Sequence, residues 1–163
     1  MENQKATMKF WLSIISVVLG VMALTMMFLP AMSTTITKTG EEVGLYNVFQ
    51  LMFGKQEKGI TVIEFSILNC ISLLLIIVAV VLAILNFIKS KEDGDQQVIY
   101  IISAVFFVVG GILSVFAINF AVFVGDKWSI FTNTLREAPI LVGAISCIAG
   151  GCCFAPILLN SKE

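Results

Sequence analysis

Among the polar side chains in or beside the apolar stretches of this sequence, the chemistry of three needs explaining first: Glu64, Asn69 and Asn119. A carboxylate in an apolar surround is costly to ionise, so Glu64 is a candidate ion or proton site. Its place, a few residues after Gly59 and Ile60, also fits an acidic group in a first helical turn, complementing the helix dipole at headgroup depth. The second expectation takes precedence. Asn69 and Asn119 are amides, able to donate and accept. Counted outward from Asp93, which lies between their two apolar runs, they stand at heights that differ by about 3 Å. They are therefore predicted to bond to one another across a helical hairpin, fixing its register rather than lining a path.

Other chemistries are harder to build from this composition. There is no histidine, which removes imidazole acid–base work, Ser-His and Cys-His nucleophile pairs and histidine metal ligation. The four cysteines, Cys70, Cys147, Cys152 and Cys153, all fall inside apolar runs and read as small packing residues. No phosphate-binding glycine loop occurs. Glu92, Asp93 and Asp95 around Gly94 form too short a cluster for a calcium loop. No cofactor or metal is expected, and the chain reads as non-enzymatic. A net charge of −1 with no basic stripe gives no footprint for nucleic acid.

The elements that position these residues follow from hydropathy. Hydrophobic residues make up 58% of the chain and charged residues 13%, with a mean hydropathy of +1.00, so the apolar surface requires lipid as its solvent. Four runs are long enough to cross a bilayer, and helix is the form that satisfies their backbone groups there. The predicted fold is an all-α membrane protein: a single four-transmembrane-helix bundle with helices over 8–30, 62–88, 98–124 and 139–159. Outer loops span 31–61 and 125–138, and an inner loop spans 89–97. A small extracytoplasmic subdomain is expected in the first outer loop. Its β-branched stretch Met32 to Thr37 predicts a hairpin turning at Gly40, and Leu45, Val48, Phe49, Met52 and Phe53 predict a short interfacial helix stopped by Gly54.

Lys5, Lys9, Lys89, Lys91 and Lys162 flank one side densely, while Lys38, Lys55, Lys58, Lys127 and Arg136 are spread over longer loops on the other. By the positive-inside rule both termini are cytoplasmic in a multi-pass plasma-membrane protein. Pro30 to Ser33 offers a small-residue cleavage pattern after the first run, but that run exceeds the apolar core of a secretory signal, so it is expected to stay.

Two surfaces could engage partners. Gly143, Cys147, Gly151 and Ala155, four residues apart, form a small-residue stripe that predicts close helix packing, within the bundle or against a second copy or another membrane protein. Tyr46, Phe49, Phe53 and Trp128 place aromatic rings at the outer boundary, as a belt or an interaction surface. The expected function is a scaffold, accessory subunit or immunity-type partner of other membrane proteins. The alternative is a subunit of an oligomeric transporter or channel.

Phe28, Leu29, Pro30 and Ala31, followed by Tyr46, Phe49, Gln50, Phe53 and Gly54, resemble a pattern of small tetraspan membrane proteins of Gram-positive bacteria. The resemblance covers about the first half of the chain and implies four spans in a bacterial plasma membrane. The layout, with Gly44, Leu45 and Tyr46 in the longer outer loop, is also similar to that of claudin-like tetraspans. The loop lacks their tryptophans and cysteine pair, so that likeness is one of architecture.

Overall fold

The computed structural model describes residues 2–57, 60–89, 97–124 and 131–160. The inner loop over 90–96 and Trp128 lie outside the described residues. The protein is mostly helical, with small β-sheets. Its elements run α1 (Glu2–Met26), β1 (Pro30–Ile36), β2 (Glu42–Asn47), α2 (Val48–Phe53), β3 (Lys55–Glu57), β4 (Ile60–Glu64), α3 (Ile67–Lys89), α4 (Gln97–Val115), β5 (Val122–Phe123), β6 (Phe131–Leu135) and α5 (Glu137–Asn160). Segments Ala6–Met26, Ile67–Lys89, Gln97–Val115 and Glu137–Leu159 are long and apolar enough to cross a membrane, as a multi-pass membrane protein requires.

These four helices pack in a ring in which α1 touches α3 and α5, and α4 touches α3 and α5. Each turns one stripe inward at alternating spacings of three and four residues. The stripes are Ser13, Ser16, Gly20 and Ala23 on α1, continued by Met27 just past its end, and Asn69, Ser72, Ile76, Ala79, Ala83 and Asn86 on α3. On α4 they are Tyr100, Ser103, Phe107, Gly110 and Ser114, and on α5 Val142, Ser146, Ala149, Cys153 and Pro156. This is the heptad seam of left-handed bundles. Small and hydroxyl side chains dominate it while large aliphatic ones point outward, the arrangement expected where lipid supplies the apolar solvent and close backbone approach holds helices together. Phe107, fully buried, fills the centre, and Gly20 makes room for it. A Cβ on Gly20 would stand 2.6 Å from Val80 Cγ2 and 2.8 Å from Phe107 Cζ.

The six strands among the described residues sit at one end of the ring, because α1 leads into β1, β4 leads into α3, α4 leads towards β5, and β6 leads into α5. They form two antiparallel three-stranded sheets, ordered β2-β1-β6 and β3-β4-β5. Each sheet therefore joins both connections at that end. Beneath them Met27, Met32, Leu51, Met52 and Ile63, all fully buried, close the mouth of the bundle.

Helix boundaries differ from the sequence expectation, and the first long helix runs Glu2–Met26 rather than 8–30, the chain from Pro30 pairing instead as β1. The second long helix starts at Ile67 rather than 62, since the β-branched run Thr61, Val62 and Ile63 pairs as β4. Ser66 then caps α3, its Oγ accepting from the Asn69 backbone N–H at 3.4 Å. The third long helix ends at Val115 rather than 124. Beyond it the chain tightens into turns, with Ala117 N–H donating to Ser114 O and Phe120 N–H to Phe116 O, before entering β5. Side chains at the start of α3 and just before it capture the carbonyls there, Asn69 that of Ala117 and Ser66 that of Phe120. Apolar content alone does not distinguish such a capped turn from a continuing helix.

Candidate functional site: polar interior, outer end and lipid-facing groove

The inward hydroxyls are mostly committed to structure. Ser72 Oγ donates to Gly110 O at 2.8 Å, Ser103 Oγ to Ala79 O at 3.1 Å, and Ser16 Oγ to Ala149 O at 3.2 Å, each bridging two helices. Cys153 Sγ lies 2.7 Å from Ser16 Oγ and 3.3 Å from Ser103 Oγ. The thiol sits among hydroxyls already bonded to backbone carbonyls, which stitches α1, α4 and α5 together without activating a nucleophile. Not every interior group is matched. Both amide atoms of Asn86, the Oγ atoms of Ser114 and Ser146, and Asn69 Oδ1 are buried and lack a hydrogen-bond partner among the described residues.

Asn86 is the residue that sequence reading missed. It lies close to Lys89 and looks like the end of a run, yet it is 1% exposed. The signal was its spacing: Asn86 continues the stripe of Asn69, Ser72, Ile76, Ala79 and Ala83.

The three polar candidates do not come together. Asn69 is fully buried, and its Nδ2 donates to Ala117 O at 2.9 Å and Leu51 O at 3.2 Å. It does bridge from α3 to the segment after α4, two residues before Asn119, but through a backbone carbonyl. Asn119 itself is exposed in the turn past the end of α4, so the expected amide pair is corrected. Glu64 ends β4, exposed, in register with Val122. It is neither in a first helical turn nor buried, because α3 begins three residues later.

The outer aromatic set also divides. Tyr46 is 4% exposed, so it is no part of a surface. Gly44, two residues earlier on the same face of β2, lets the ring fold across its own strand; a Cβ there would meet the ring at 2.9 Å. Lys55 Nζ covers the ring at 4.7 Å from its centroid. Phe49 is half-buried and Phe53 exposed. They belong to a continuous series in which the Phe28 and Phe49 ring centroids are 4.5 Å apart, Phe49 and Phe53 6.3 Å, and Phe53 and Phe65 6.5 Å. That series runs from the end of α1, across α2, to the start of α3. Elsewhere at this end Arg136 makes a two-pronged ion pair with Glu42, both contacts 3.1 Å, tying β2 to the segment entering α5.

The small-residue stripe of α5 is split between two environments. Gly143 is buried against α4, where a Cβ would stand 2.9 Å from Gly111 O and 2.5 Å from Val115 Cγ2. Gly151 is exposed with nothing within 4 Å of its Cβ position, and Cys147 and Ala155 are half-buried. Packing inside the bundle is completed instead by Gly150, whose Cβ position is 3.0 Å from Ala104 O. Ala104, Val105, Val108 and Val109 of α4 with Cys147, Gly150, Gly151 and Phe154 of α5 thereby line a cavity of about 470 Å³ that opens on the apolar flank.

Among the described residues no three metal-ligating side chains cluster. Compared with protein-family models the sequence matches none, and compared with curated proteins it shows no significant similarity, so the functional reading rests on this geometry.

Proposed function

We propose that this chain is a non-enzymatic integral membrane protein that serves as a scaffold, accessory subunit or immunity-type partner of other membrane proteins. It resides in a bacterial plasma membrane with both termini in the cytoplasm, so that the two sheets face outward. The observation that carries this reading is the groove between α4 and α5. Its floor of Ala104 and Gly150 and its open Gly151 present backbone to an apolar flank, which suits close approach of a helix from another protein. The centre of the bundle, by contrast, is filled by Phe107 and its outer mouth by methionines, which speaks against a path through one copy.

The test is to tag the C-terminus, extract the protein in mild detergent and identify what remains bound by mass spectrometry. A stoichiometric membrane partner, lost with Gly151→Leu while the bundle still folds, is the expected result. Recovery of the chain with nothing bound refutes the reading. A second reading, a subunit of an oligomeric transporter or channel, is favoured by the unmatched interior groups of Asn86, Ser114 and Ser146, which water or a solute could satisfy. Flux through liposomes, lost with Asn86→Leu, would select it.

A further inference from the structure

The aromatic series ends beside a charge. Phe53, from the last turn of α2, and Phe65, just before α3, face one another with centroids 6.5 Å apart and planes inclined by 43°, and each ring is more than half exposed. Next to Phe65 in the chain stands Glu64, exposed, whose carboxylate has no hydrogen bond or ion pair among the described residues. Together with Lys55 these groups line a cleft of about 490 Å³. The cleft is built by backbone: Gly54, at φ +85°, ends α2 where a Cβ would stand 2.6 Å from Ile63 O, and Ser66 N–H donates to Met52 O at 2.8 Å, which holds α2 against the entry to α3.

Its depth follows from the same elements. The apolar span of α3 begins at Ile67, three residues past Glu64, so the carboxylate stands where hydrocarbon gives way to headgroups. A cleft lined by a carboxylate and two exposed phenyl rings is complementary to an ammonium group, through charge and through the ring quadrupoles. Lys55, whose Nζ lies over the Tyr46 ring, also lines the cleft and leaves its rim with both signs of charge, as a zwitterion requires. An anionic headgroup without an amine would bring its charge against Glu64.

We propose that this cleft binds the headgroup of a zwitterionic phospholipid, with Glu64, Phe53 and Phe65 taking the ammonium. The probe is a bilayer of equal parts phosphatidylethanolamine and phosphatidylglycerol. The full chain is reconstituted in it, released with mild detergent and weighed intact with its bound lipids. Bound phosphatidylethanolamine is expected to exceed its bilayer share by about tenfold. Glu64→Gln returns bound lipid to the bilayer ratio with an unchanged circular dichroism spectrum, since the carboxylate makes no bond among the described residues. Phe65→Leu lowers the enrichment partially, and Glu42→Gln, in the distant ion pair with Arg136, leaves it intact. Bound lipid at the bilayer ratio in the unaltered protein, enrichment of phosphatidylglycerol, or enrichment that survives Glu64→Gln overturns the proposal.

Discussion

Replacing Asn69 and Asn119 with alanine, singly and together, separates the observed role of these amides from the pairing expected from their heights. Asn69 is fully buried and its Nδ2 supplies two hydrogen bonds, to Ala117 O and Leu51 O. In membrane proteins such a bond contributes about 0.6 to 1.7 kcal/mol, and removing the donor also leaves two carbonyls without their partner. A small cavity adds about 1 kcal/mol, so Asn69→Ala is expected to cost about 2 to 4 kcal/mol. Asn119, exposed beyond α4, should cost under about 0.5 kcal/mol, and the double variant should equal the sum of the singles within about 0.5 kcal/mol. Unfolding in mixed micelles of increasing SDS fraction, followed by the helical circular dichroism signal, measures all three. Equal costs for the two single variants, or a coupling above about 1 kcal/mol, would refute the backbone-bridging role of Asn69.

Gly20→Ala drives a methyl into Val80 and Phe107 and should cost about 1 to 3 kcal/mol in the same titration, whereas Gly151→Ala, with open space around it, should stay within about 0.5 kcal/mol. Gly54→Ala meets both a positive φ and the Ile63 carbonyl, so a loss of about 2 kcal/mol and faster proteolysis between α2 and β4 are expected. Arg136→Ala removes an ion pair whose side chains are 39% and 41% exposed. Its cost should stay under about 1 kcal/mol and shrink as salt is raised.

The parts of this fold legible in sequence are those with local causes. Four apolar runs announce four helices because length and hydropathy suffice. Gly40 and Gly54 mark a turn and a helix stop, and both adopt positive φ. What escaped notice depends on distant partners. β6 is an edge strand only because β1, about a hundred residues earlier, pairs with it, Ser33 Oγ meeting Thr134 Oγ1 at 2.7 Å. Likewise Phe116 to Val124 is apolar enough for helix, and only capture of its carbonyls by Asn69 and Ser66 shows why the helix stops. Tyr46 has the composition of a boundary anchor, but Gly44 and Lys55 turn it inward. The heptad spacing that exposes Asn86 was present in the sequence, obscured because every face of these helices is apolar enough for lipid.

The proposed role requires four crossings with both sheets at one face of the membrane. Single cysteines at Thr39, Thr132 and Gln4, each exposed, in a variant whose four native cysteines are replaced by alanine, test this with a membrane-impermeant maleimide. Thr39 and Thr132 positions should label in intact cells and the Gln4 position only after permeabilisation. Labelling of Thr39 and Thr132 from opposite faces would contradict the account.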